Sequence, residues 1–534
     1  MKADKHRYAK QFTNLKTIIW LSIAWAIAVT IGIGCGNPQA ESTDNAATYP
    51  QATPATIADG KILSQRYCRS CHMYPGPELL NRDKWHTLLP QMGLRLGIKQ
   101  HAGVDYTPAI KAPDFTAPDR PTLTQTDWQH ILDYYLNTAP IRLAVQNKPA
   151  QIIRKMPFFA FKSPADAFAG KQVLGTYVKI DNSVKPARIF VANGRSNKLY
   201  LFNNQVKVID SVTTTGPVVD MLFDKGAVYV CTIGKVLDAN SDKLGAVNEL
   251  QISPPGKMSL SVKPLFNKLA RPVQIQAADI NGDDRTDYLL CEFGNLNGGL
   301  SWMENQGNGG FVKHSISGLP GAIKAYFDYS KNKTAPDIWV LFAQAEEGIY
   351  HFSNNGKGQF NVKQVLRFPP VYGSSSFEMI DIDNDGHKDI VYTCGDNGNA
   401  TAILKPYHGV YIFLNDKRDG FNQRYFYPIN GCYKAIARDF YGDGKVDIAT
   451  IGLFTDSRQP EEGFVFLKNK GGLNFEPHSL PADVKIERCV TMDEGDLDAD
   501  GKPDLLIGNA FFDFGPFKAN GNEPLFFVLK NKIR

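Results

Sequence analysis

The sequence lacks a strong net charge of either sign. Its 59 lysine and arginine residues nearly balance its 54 aspartate and glutamate residues, which leaves a formal net charge of +5 over 534 residues. A nucleic-acid-binding chain generally concentrates basic residues on one face, so this balance argues against nucleic acid as a partner. The length exceeds that of one ordinary domain, and 43% hydrophobic residues fit a soluble, globular chain.

Several patterns that identify enzymes and zinc sites are also missing. The eight cysteines include a single C-x-x-C pair, so a zinc site made of two such pairs is excluded. No Ser/His/Asp arrangement and no isolated pair of acidic residues stands out from the rest of the chain. The sequence therefore indicates no catalytic residue, although it does not exclude that the protein is an enzyme.

The N-terminus has the features of an export segment. A basic region is followed by residues 17–34, which carry no charge, and then by Cys35 and a small polar stretch. The residues around Cys35 resemble a bacterial lipoprotein signal, although Gly32 stands where that family has a larger aliphatic residue. The alternative is an uncleaved anchor, because about 18 apolar residues can span a bilayer. Both predict an extracytoplasmic, membrane-anchored protein of the periplasm or cell surface, and the absence of Asp at position 36 points towards the outer membrane.

The single C-x-x-C pair continues directly into a histidine. Cys68, Cys71 and His72 form C-x-x-C-H. Two thiols one helical turn apart can add to the two vinyl groups of haem, and His72 then lies under the iron as proximal ligand. Covalent haem is attached outside the cytoplasm, so the export segment supports this interpretation. We expect one covalently bound haem c.

The flanks of this motif predict helices. Residues 124–140 place apolar side chains at i, i+3, i+4, i+7 and i+8, with Thr124 or Thr126 as N-cap and Pro140 at the end. Before the motif, Gly60 lies in a helix-like stretch where two helices could cross closely. This pattern resembles a class I, single-haem cytochrome c, which implies a small all-α domain over residues 55–141.

The distal haem ligand is predicted less directly. Such cytochromes use a downstream methionine, and Met92 follows a predicted turn at Pro90, whereas Met73 adjoins the proximal histidine. Met92 is the candidate, although core packing would also explain a methionine there. His86 and His101 are the rival ligands. A methionine ligand would raise the reduction potential relative to two histidines.

The rest of the chain, residues 150–534, repeats a D-x-x-x-D-x-x-x-D pattern or a weaker copy, each followed by an apolar run. The copies start at Asp181, Asp224, Asp279, Asp328, Asp381, Asp439 and Asp496. Strand signals around each copy predict about four short antiparallel strands per unit, and seven units predict an all-β, seven-bladed propeller. The last unit ends after three strands, and residues 157–162 could supply its fourth.

The acidic loops of the best copies have calcium-ligand spacing. Acidic residues at positions 1, 3 and 5, a Gly at position 6 and an Asp at position 9 can wrap a hard cation. In the two strongest loops the candidate ligands are Asp381, Asp383, Asp385 and Asp389, and Asp496, Asp498, Asp500 and Asp504. In two weaker loops they are Asp439, Asp443 and Asp447, where Tyr441 takes position 3, and Asp279, Asn281, Asp283 and Asp287.

These loops are not EF-hands, because position 12 falls in an apolar β-like run rather than on a Glu. They resemble the FG-GAP or VCBS repeats of bacterial propellers and the calcium blades of integrin alpha subunits, which implies about two to four structural calcium ions. The alternative is that the acids only cap turns.

Five cysteines lie in the repeats. Cys231, Cys291 and Cys394 are expected to be small buried apolar residues, whereas Cys432 and Cys489 are expected either to be free or to form a disulfide.

Together these features predict a multidomain chain: signal or anchor 1–35, linker 36–54, all-α cytochrome c domain 55–141 and calcium-loop propeller 150–534. The expected function is haem-based electron transfer with a redox partner protein, the propeller serving as a docking platform. The first alternative is a fused dehydrogenase that oxidises a sugar or alcohol. However, only Trp302 and Trp339 lie in the repeats, too few for the Trp docking motifs of quinone-dependent propellers. The second alternative is a surface module that binds a glycan, another small molecule or a protein.

Overall fold

The structure is a computed structural model. It describes residues 49–110, 115–164, 172–236, 242–294, 296–331, 334–398, 403–418, 420–484, 486, 488–511 and 524–533. The α-helices of this part lie between residues 54 and 138, and the large sheets lie between residues 159 and 531. The predicted order of a helical part followed by a β part is therefore confirmed.

The described residues of the helical part form three α-helices. They are α1 (Pro54–Tyr67), α2 (Arg82–Arg95) and α3 (Gln125–Thr138). Short 3-10 turns at Pro77–Leu79 and Thr107–Ala109 and the strands β1 (Gln100–His101) and β2 (Val104–Asp105) connect them. Thr124 caps α3 in a capping box with Asp127, as one of the two predicted N-caps.

Helices α1 and α3 cross at Gly60, as predicted. A Cβ atom at Gly60 would lie 1.8 Å from the backbone oxygen of His130, so only glycine fits at this crossing. The buried core beside the crossing contains Trp85, Trp128 and Ile131, which are at most 1% exposed. The apolar face predicted for α3 is therefore the face that α1 and α2 cover.

The turn predicted at Pro90 is wrong, because Pro90 lies inside α2. Proline removes one helical hydrogen bond, which normally ends or kinks a helix. Here the buried face of α2, formed by Trp85, Leu89 and Leu94, continues across the proline. Packing on this face outweighs the local preference. Met92 is consequently a helical residue in the last turns of α2.

In the described residues, the strands of the β part are divided here into seven antiparallel groups, named sheets 1 to 7 in chain order. Sheets 1 and 7 are joined to each other by the pairs Leu174–Ala510 and Val173–Phe511. Sheet 1 contains β4 (Val173–Asp181), β5 (Arg188–Asn193), β6 (Lys198–Asn203) and β7 (Val208–Thr213). Sheet 2 contains β8 (Val218–Asp224), β9 (Ala227–Thr232), β10 (Gly245–Ser253), β11 (Lys257–Leu260) and β12 (Phe266–Leu269). Sheet 3 contains β13 (Pro272–Ala278), β14 (Asp287–Glu292), β15 (Gly299–Asn305) and β16 (Phe311–Ser317).

The remaining groups repeat the same plan. Sheet 4 contains β17 (Ala322–Asp328), β18 (Asp337–Phe342), β19 (Gly348–Asn354) and β20 (Phe360–Arg367). Sheet 5 contains β21 (Ser374–Ile380), β22 (Asp389–Cys394), β23 (Gly409–Asn415) and β24 (Phe421–Pro428). Sheet 6 contains β25 (Cys432–Arg438), β26 (Asp447–Gly452), β27 (Phe464–Asn469) and β28 (Phe475–His478). Sheet 7 contains β29 (Cys489–Gly495), β30 (Asp504–Phe511), β31 (Phe526–Asn531) and β3 (Phe159–Lys162).

Sheet 7 is completed by a strand from before sheet 1. Phe159 to Lys162 of β3 pair antiparallel with β31 near the other end of the chain. Residues 157–162 therefore supply the fourth strand, as predicted. Because β3 covers what would otherwise be an open edge, it prevents that edge from pairing with another chain.

The first strands of successive sheets contact each other in a cycle. β4, β8, β13, β17, β21, β25 and β29 follow one another, and β29 contacts β4 again. Each of the seven repeat starts predicted from the sequence falls at the end of one of these first strands. The chain is thus mostly β, with antiparallel sheets arranged in a propeller-like fold.

Candidate functional site

The helical part and the β part share one large cavity. Its volume is about 1490 Å³, and Cys68, Cys71 and His72 line it together with residues of all seven first strands. This volume exceeds the usual range for a small-ligand pocket, about 300–1,000 Å³. The C-x-x-C-H residues thus lie at one end of a space that continues along the first strands of the sheets.

The end of α1 positions the three motif residues. Cys68 is the C-cap of α1, and its backbone N–H donates to the carbonyl of Ser64. Burial raises the pKa of the Cys68 thiol to about 11, which keeps it protonated, whereas a redox-active dithiol needs a lowered pKa. A hydrogen bond joins Nδ1 of His72 and the carbonyl of Met73 at 3.0 Å, which leaves Nε2 as the ligating nitrogen.

Aromatic and aliphatic side chains form the walls beside the motif. They are Tyr67, Trp85, Leu88, Leu89, Leu96, Phe115 and Tyr135. Trp85 Nε1 donates to the carbonyl of Pro77 at 2.7 Å, and the Tyr135 hydroxyl donates to the carbonyl of Pro75 at 2.7 Å. These two bonds fasten the loop after the motif to α2 and α3, so the loop is held against the cavity wall.

The candidate distal ligands are placed differently. Met92 is partly buried and lines the same cavity as His72, so it stays the predicted ligand. His86 is exposed and packs edge-on against Tyr49. His101 uses both ring nitrogens in hydrogen bonds to glutamine side chains, at 2.7 and 2.8 Å. Neither histidine lines the cavity, so the geometry favours Met92 among the candidates.

Arg95 adds a positive charge to the apolar end of the cavity. Its guanidinium lies 5.2 Å from the ring centroid of Phe115, and burial lowers its pKa. The sequence analysis did not single out Arg95. Its position three residues after Met92, on a helix facing the motif, was the available signal. Two thiols, one imidazole, a thioether, an apolar wall and one cation form a donor set that fits haem c with its carboxylate groups.

Polar side chains of the first strands line the other end of the cavity. Each first strand has a register shift, and the residue that ends the shift faces the shared space. These seven residues, named here the channel ring, are Tyr177, Asp220, Gln274, Lys324, Ser376, Lys434 and Thr491. Sequence analysis missed the ring, because every first strand carries more than one polar residue and the sequence does not single out the one at the register shift.

Two of the acidic loops bring their carboxylates together. Asp381, Asp383 and Asp385 form one group and Asp496, Asp498 and Asp500 form another, with ligand atoms within 4.8 Å of one another. Among the described residues, the loops at Asp439 and Asp279 form no such group. Tyr441 and Asn281 replace the third-position acid there, as the sequence indicated.

The first acid of each loop caps the loop's own backbone. Asp381 accepts hydrogen bonds from the amides of Asp385 and Gly386 at 3.0 and 2.8 Å. Asp496, Asp439 and Asp279 repeat this arrangement. The carboxylate at position 1 therefore caps the turn, as the alternative interpretation predicts. It does not exclude a cation, because each carboxylate oxygen has a second lone pair.

The ninth-position acids are buried between strands. In Asp504, one oxygen accepts the amide of Leu497 at 3.0 Å and the other accepts the amide of Asn531 at 2.7 Å. Burial raises the pKa of Asp504 to about 6. Asp287 and Asp389 make the same pair of bonds, and Asp447 likewise accepts the amide of Asn469. Position 9 thus ties the loop to the third strand of its sheet.

Basic side chains pair with the remaining loop acids. Lys417 contacts Asp385 at 3.1 Å and Lys530 contacts Asp498, both from outside the motif. In the weaker loops Lys445 pairs with Asp443 at 2.7 Å, and Arg285 pairs with Asp283. Bound calcium would therefore compete with these ammonium and guanidinium groups for the same oxygens.

The five cysteines of the β part are buried and free. Cys231, Cys291 and Cys394 are at most 1% exposed, as expected for small apolar residues. Cys432 and Cys489 are also free, and Cys432 Sγ lies 3.2 Å from the Thr450 hydroxyl. The disulfide alternative is therefore not supported.

Comparisons with known proteins identify one repeat. Residues 334–392, which include the loop at Asp381, match the family model described as an FG-GAP-like repeat. The crystal structure of the Saccharomyces cerevisiae Sqt1 is similar with a TM-score of 0.42 and 8% sequence identity, covering 72% of this chain and 100% of that chain. A search of the curated proteins found no match. The chain thus contains an FG-GAP-like repeat within a largely β structure.

None of the helices in the described part of the chain is both long enough and apolar enough to span a bilayer. The lipidation predicted at Cys35, and the segment 1–35 that contains it, lie outside the described residues.

Proposed function

We propose that this chain is an extracytoplasmic c-type haem electron-transfer protein, tethered to a membrane through its N-terminal segment. In this proposal residues 55–141 are a cytochrome c domain and residues 150–534 are a seven-bladed propeller. The observation that carries it is the shared cavity, in which Cys68, Cys71 and His72 lie together against apolar walls.

Haem c, when bound, would supply one-electron transfer. The chain's own residues would hold it in defined ways: Cys68 and Cys71 by thioether bonds, His72 by a ring nitrogen and Met92 by its sulfur. The apolar walls would exclude water from the ring, and Arg95 would offset the charge of a haem carboxylate.

The propeller part of the proposal rests on the cycle of first strands and on the FG-GAP-like repeat. We further propose structural calcium in the loops at Asp381 and Asp496, where three carboxylates converge, and weaker sites at Asp439 and Asp279. Calcium would replace the lysine contacts to these loops and brace the outer connections of the sheets.

A second candidate function is substrate oxidation inside the β part, with electrons passing to the haem. The observation that favours it is the continuity of the cavity from the C-x-x-C-H motif to the charged channel ring. The carrier proposal needs no substrate in the channel, whereas the oxidoreductase proposal needs one. Only the carrier proposal requires a redox partner protein that docks on the surface of the chain.

Covalent haem is the first test. The exported full chain should show a Soret band and retain haem-dependent peroxidase staining after denaturing electrophoresis. Cys71→Ala and Cys68→Ala should weaken or abolish the stain, while the matched variant Cys291→Ala, at a buried cysteine outside the cavity, should retain it. A wild-type chain without covalent haem refutes the proposal.

Adding sugars or alcohols with calcium, and monitoring haem reduction, separates the two functions. Reduction by the isolated protein would favour the oxidoreductase. Reduction only in the presence of a second redox protein would favour the carrier.

A further inference from the structure

Glu347 differs from the other buried glutamates of the described chain. Glu292, Glu347 and Glu462 are each at most 5% exposed. Glu292 pairs with Lys313, and Glu462 pairs with Lys148 at 2.6 Å. Among the described residues Glu347 forms no such ion pair, although it lines the same cavity as the C-x-x-C-H motif. A buried carboxyl group without an ion pair costs free energy when it is ionised, so protonation competes with ionisation there.

A chain of hydroxyl groups ends on Glu347. The amide and the hydroxyl of Ser374 donate to Oε2 of Glu347 at 3.1 and 2.7 Å. The Tyr392 hydroxyl lies 2.7 Å from the Ser374 hydroxyl. Hydroxyl groups both donate and accept, and they rotate to suit their partners, so the chain accommodates the ionised and the protonated carboxyl group. Because Glu347 and Ser374 line the cavity, a proton can reach them along it.

One loop connects Glu347 to the helical part. Residues 368–374 are bonded to Glu347 at both ends: the first residue donates its amide to the Glu347 carbonyl at 2.9 Å, and Ser374 donates to the carboxyl group. In the middle of the loop, Val371 is 4% exposed and belongs to the core of the helical part with Trp85. Three residues span at most about 11 Å from Val371 to Ser374. Since Trp85 lines the cavity beside the motif, the carboxyl group lies near the haem end.

The neighbouring strands and loops bring other ionisable groups to Glu347. They are Lys405, Asp396, Cys394, Tyr392 and Tyr407. On its own segment, Glu346 pairs with Arg367 at 2.8 Å. Lys405 is fully buried, and its ammonium donates to the carbonyl of Val371 at 3.0 Å. Burial raises the pKa of Glu347 to about 8, because the Ser374 bonds and the charge of Lys405 offset only part of the loss of hydration.

We propose that Glu347 is a redox-linked proton site, which takes up one proton when the haem gains one electron and releases that proton on oxidation. The inference rests on the proposed function, because it needs the haem. The electron comes from the redox partner protein and the proton from solvent. Reduction removes one positive charge from the haem, so an ionised carboxylate in the same cavity becomes less stable and binds a proton more tightly. Electron transfer by this chain is thereby coupled to pH.

The test is the haem midpoint potential of the full haem-loaded chain, measured by spectroelectrochemical titration from about pH 6 to about pH 10. The potential should fall as the pH rises through the pKa of Glu347. For unit charges about 15 Å apart at an effective dielectric constant of about 20, reduction raises the proton affinity about sixfold, which corresponds to about 50 mV between the acid and alkaline plateaus.

Glu347→Gln provides the decisive comparison. Glutamine keeps an acceptor oxygen for Ser374 but cannot ionise, so the potential should stay near the acid plateau of the wild type at every pH. A fall in potential over this pH range that persists in Glu347→Gln would overturn the proposal. The matched control Glu249→Gln, at an exposed glutamate of β10 outside the cavity, should titrate like wild type.

Two further variants separate Glu347 from its neighbours. Ser374→Ala removes a hydrogen bond to the ionised carboxyl group, so the pH at which the potential falls should rise by about one unit, while the fall itself remains. Lys405→Met removes a positive charge that favours the carboxylate and should also shift the fall upwards. If the fall disappears in Lys405→Met and persists in Glu347→Gln, Lys405 is the proton site and the proposal is wrong.

Infrared difference spectroscopy observes the proton itself. Reduction of the wild type at a pH near the pKa of Glu347 should produce the band of a protonated carboxyl group, and Glu347→Gln should lack that band. A wild-type chain without covalent haem would refute the proposed function and this inference with it. Covalent haem with a potential that does not depend on pH would refute the proton site alone.

Discussion

Gly60→Ala tests the packing of the helical part most directly, because two physical effects predict opposite changes in its stability. In an ordinary helix interior, alanine in place of glycine stabilises by about 1 kcal/mol. At this crossing, however, the new methyl would lie 1.8 Å from the His130 oxygen and 2.8 Å from Tyr134 Cβ. Both neighbours belong to α3, whose backbone would have to move by about 1 Å or more to reach normal contact.

The clash outweighs the propensity. Overpacking costs typically about 1–3 kcal/mol, and a contact with rigid backbone belongs at the upper end of that range. After the gain in propensity is subtracted, we expect a net loss of about 2 kcal/mol, or roughly 30-fold in the local opening equilibrium. The loss should be confined to the helical part, because Gly60 contacts α3 and no strand of the sheets.

Hydrogen exchange followed by mass spectrometry measures this local stability. Peptides covering 54–67 and 125–138 should exchange faster in Gly60→Ala, and peptides from sheets 3 to 6 should be unchanged. Lys61→Ala, at the exposed neighbouring position, is the matched control and should exchange like wild type. Slower or equal exchange in Gly60→Ala would show that α1 and α3 do not meet as closely as described.

The other predictions concern charge, haem and calcium. Lys148→Met should destabilise the chain by about 3–5 kcal/mol in denaturant titrations, because it leaves the fully buried Glu462 unpaired; adding Glu462→Gln should recover most of the loss. Burial raises the pKa of Glu347 to about 8, above its unfolded value, so its contribution is favourable in acid and is lost as the pH rises towards 8; in Glu347→Gln the slope of unfolding free energy against pH should flatten. In Met92→His the haem midpoint potential should fall, because a methionine ligand raises it, and an unchanged potential would count against Met92 as ligand. Chelating calcium should lower the thermal midpoint of the wild type but not of a chain already carrying Asp498→Asn and the matching change at Asp383, and calorimetry without a calcium signal would refute the loop sites.

The periodic parts of the fold could be predicted from the sequence. The spacing of the Asp-rich copies located the seven first strands, and the three-strand end of the chain indicated that residues 157–162 complete the last sheet. The helix crossing at Gly60 and the N-cap at Thr124 could be predicted because a close crossing and a helix cap each require particular residue types. These features depend on local chemistry or on repetition, both of which are visible along the chain.

The cavity could not be predicted in the same way. It depends on seven side chains from seven separate strands, and on how the helical part lies against them. Pro90 shows the same limit: its local preference indicated a turn, whereas the buried face of α2 continues through it. Where tertiary packing decides the outcome, residue spacing alone does not carry the information.

The contacts between the two parts have a consequence for access to the cavity. The Tyr407 hydroxyl donates to the carbonyl of Leu79 at 2.9 Å, and Val371 is buried in the core of the helical part. The connecting segment is held on sheets 5 and 6 by Gln146, which donates to the carbonyl of His408, and by Lys148, which pairs with Glu462 at 2.6 Å. Detaching the connecting segment would leave the buried Glu462 without its ion-pair partner, so this segment is held firmly on the two sheets. While these contacts hold, a molecule that reaches the channel ring enters through an opening of the assembled chain.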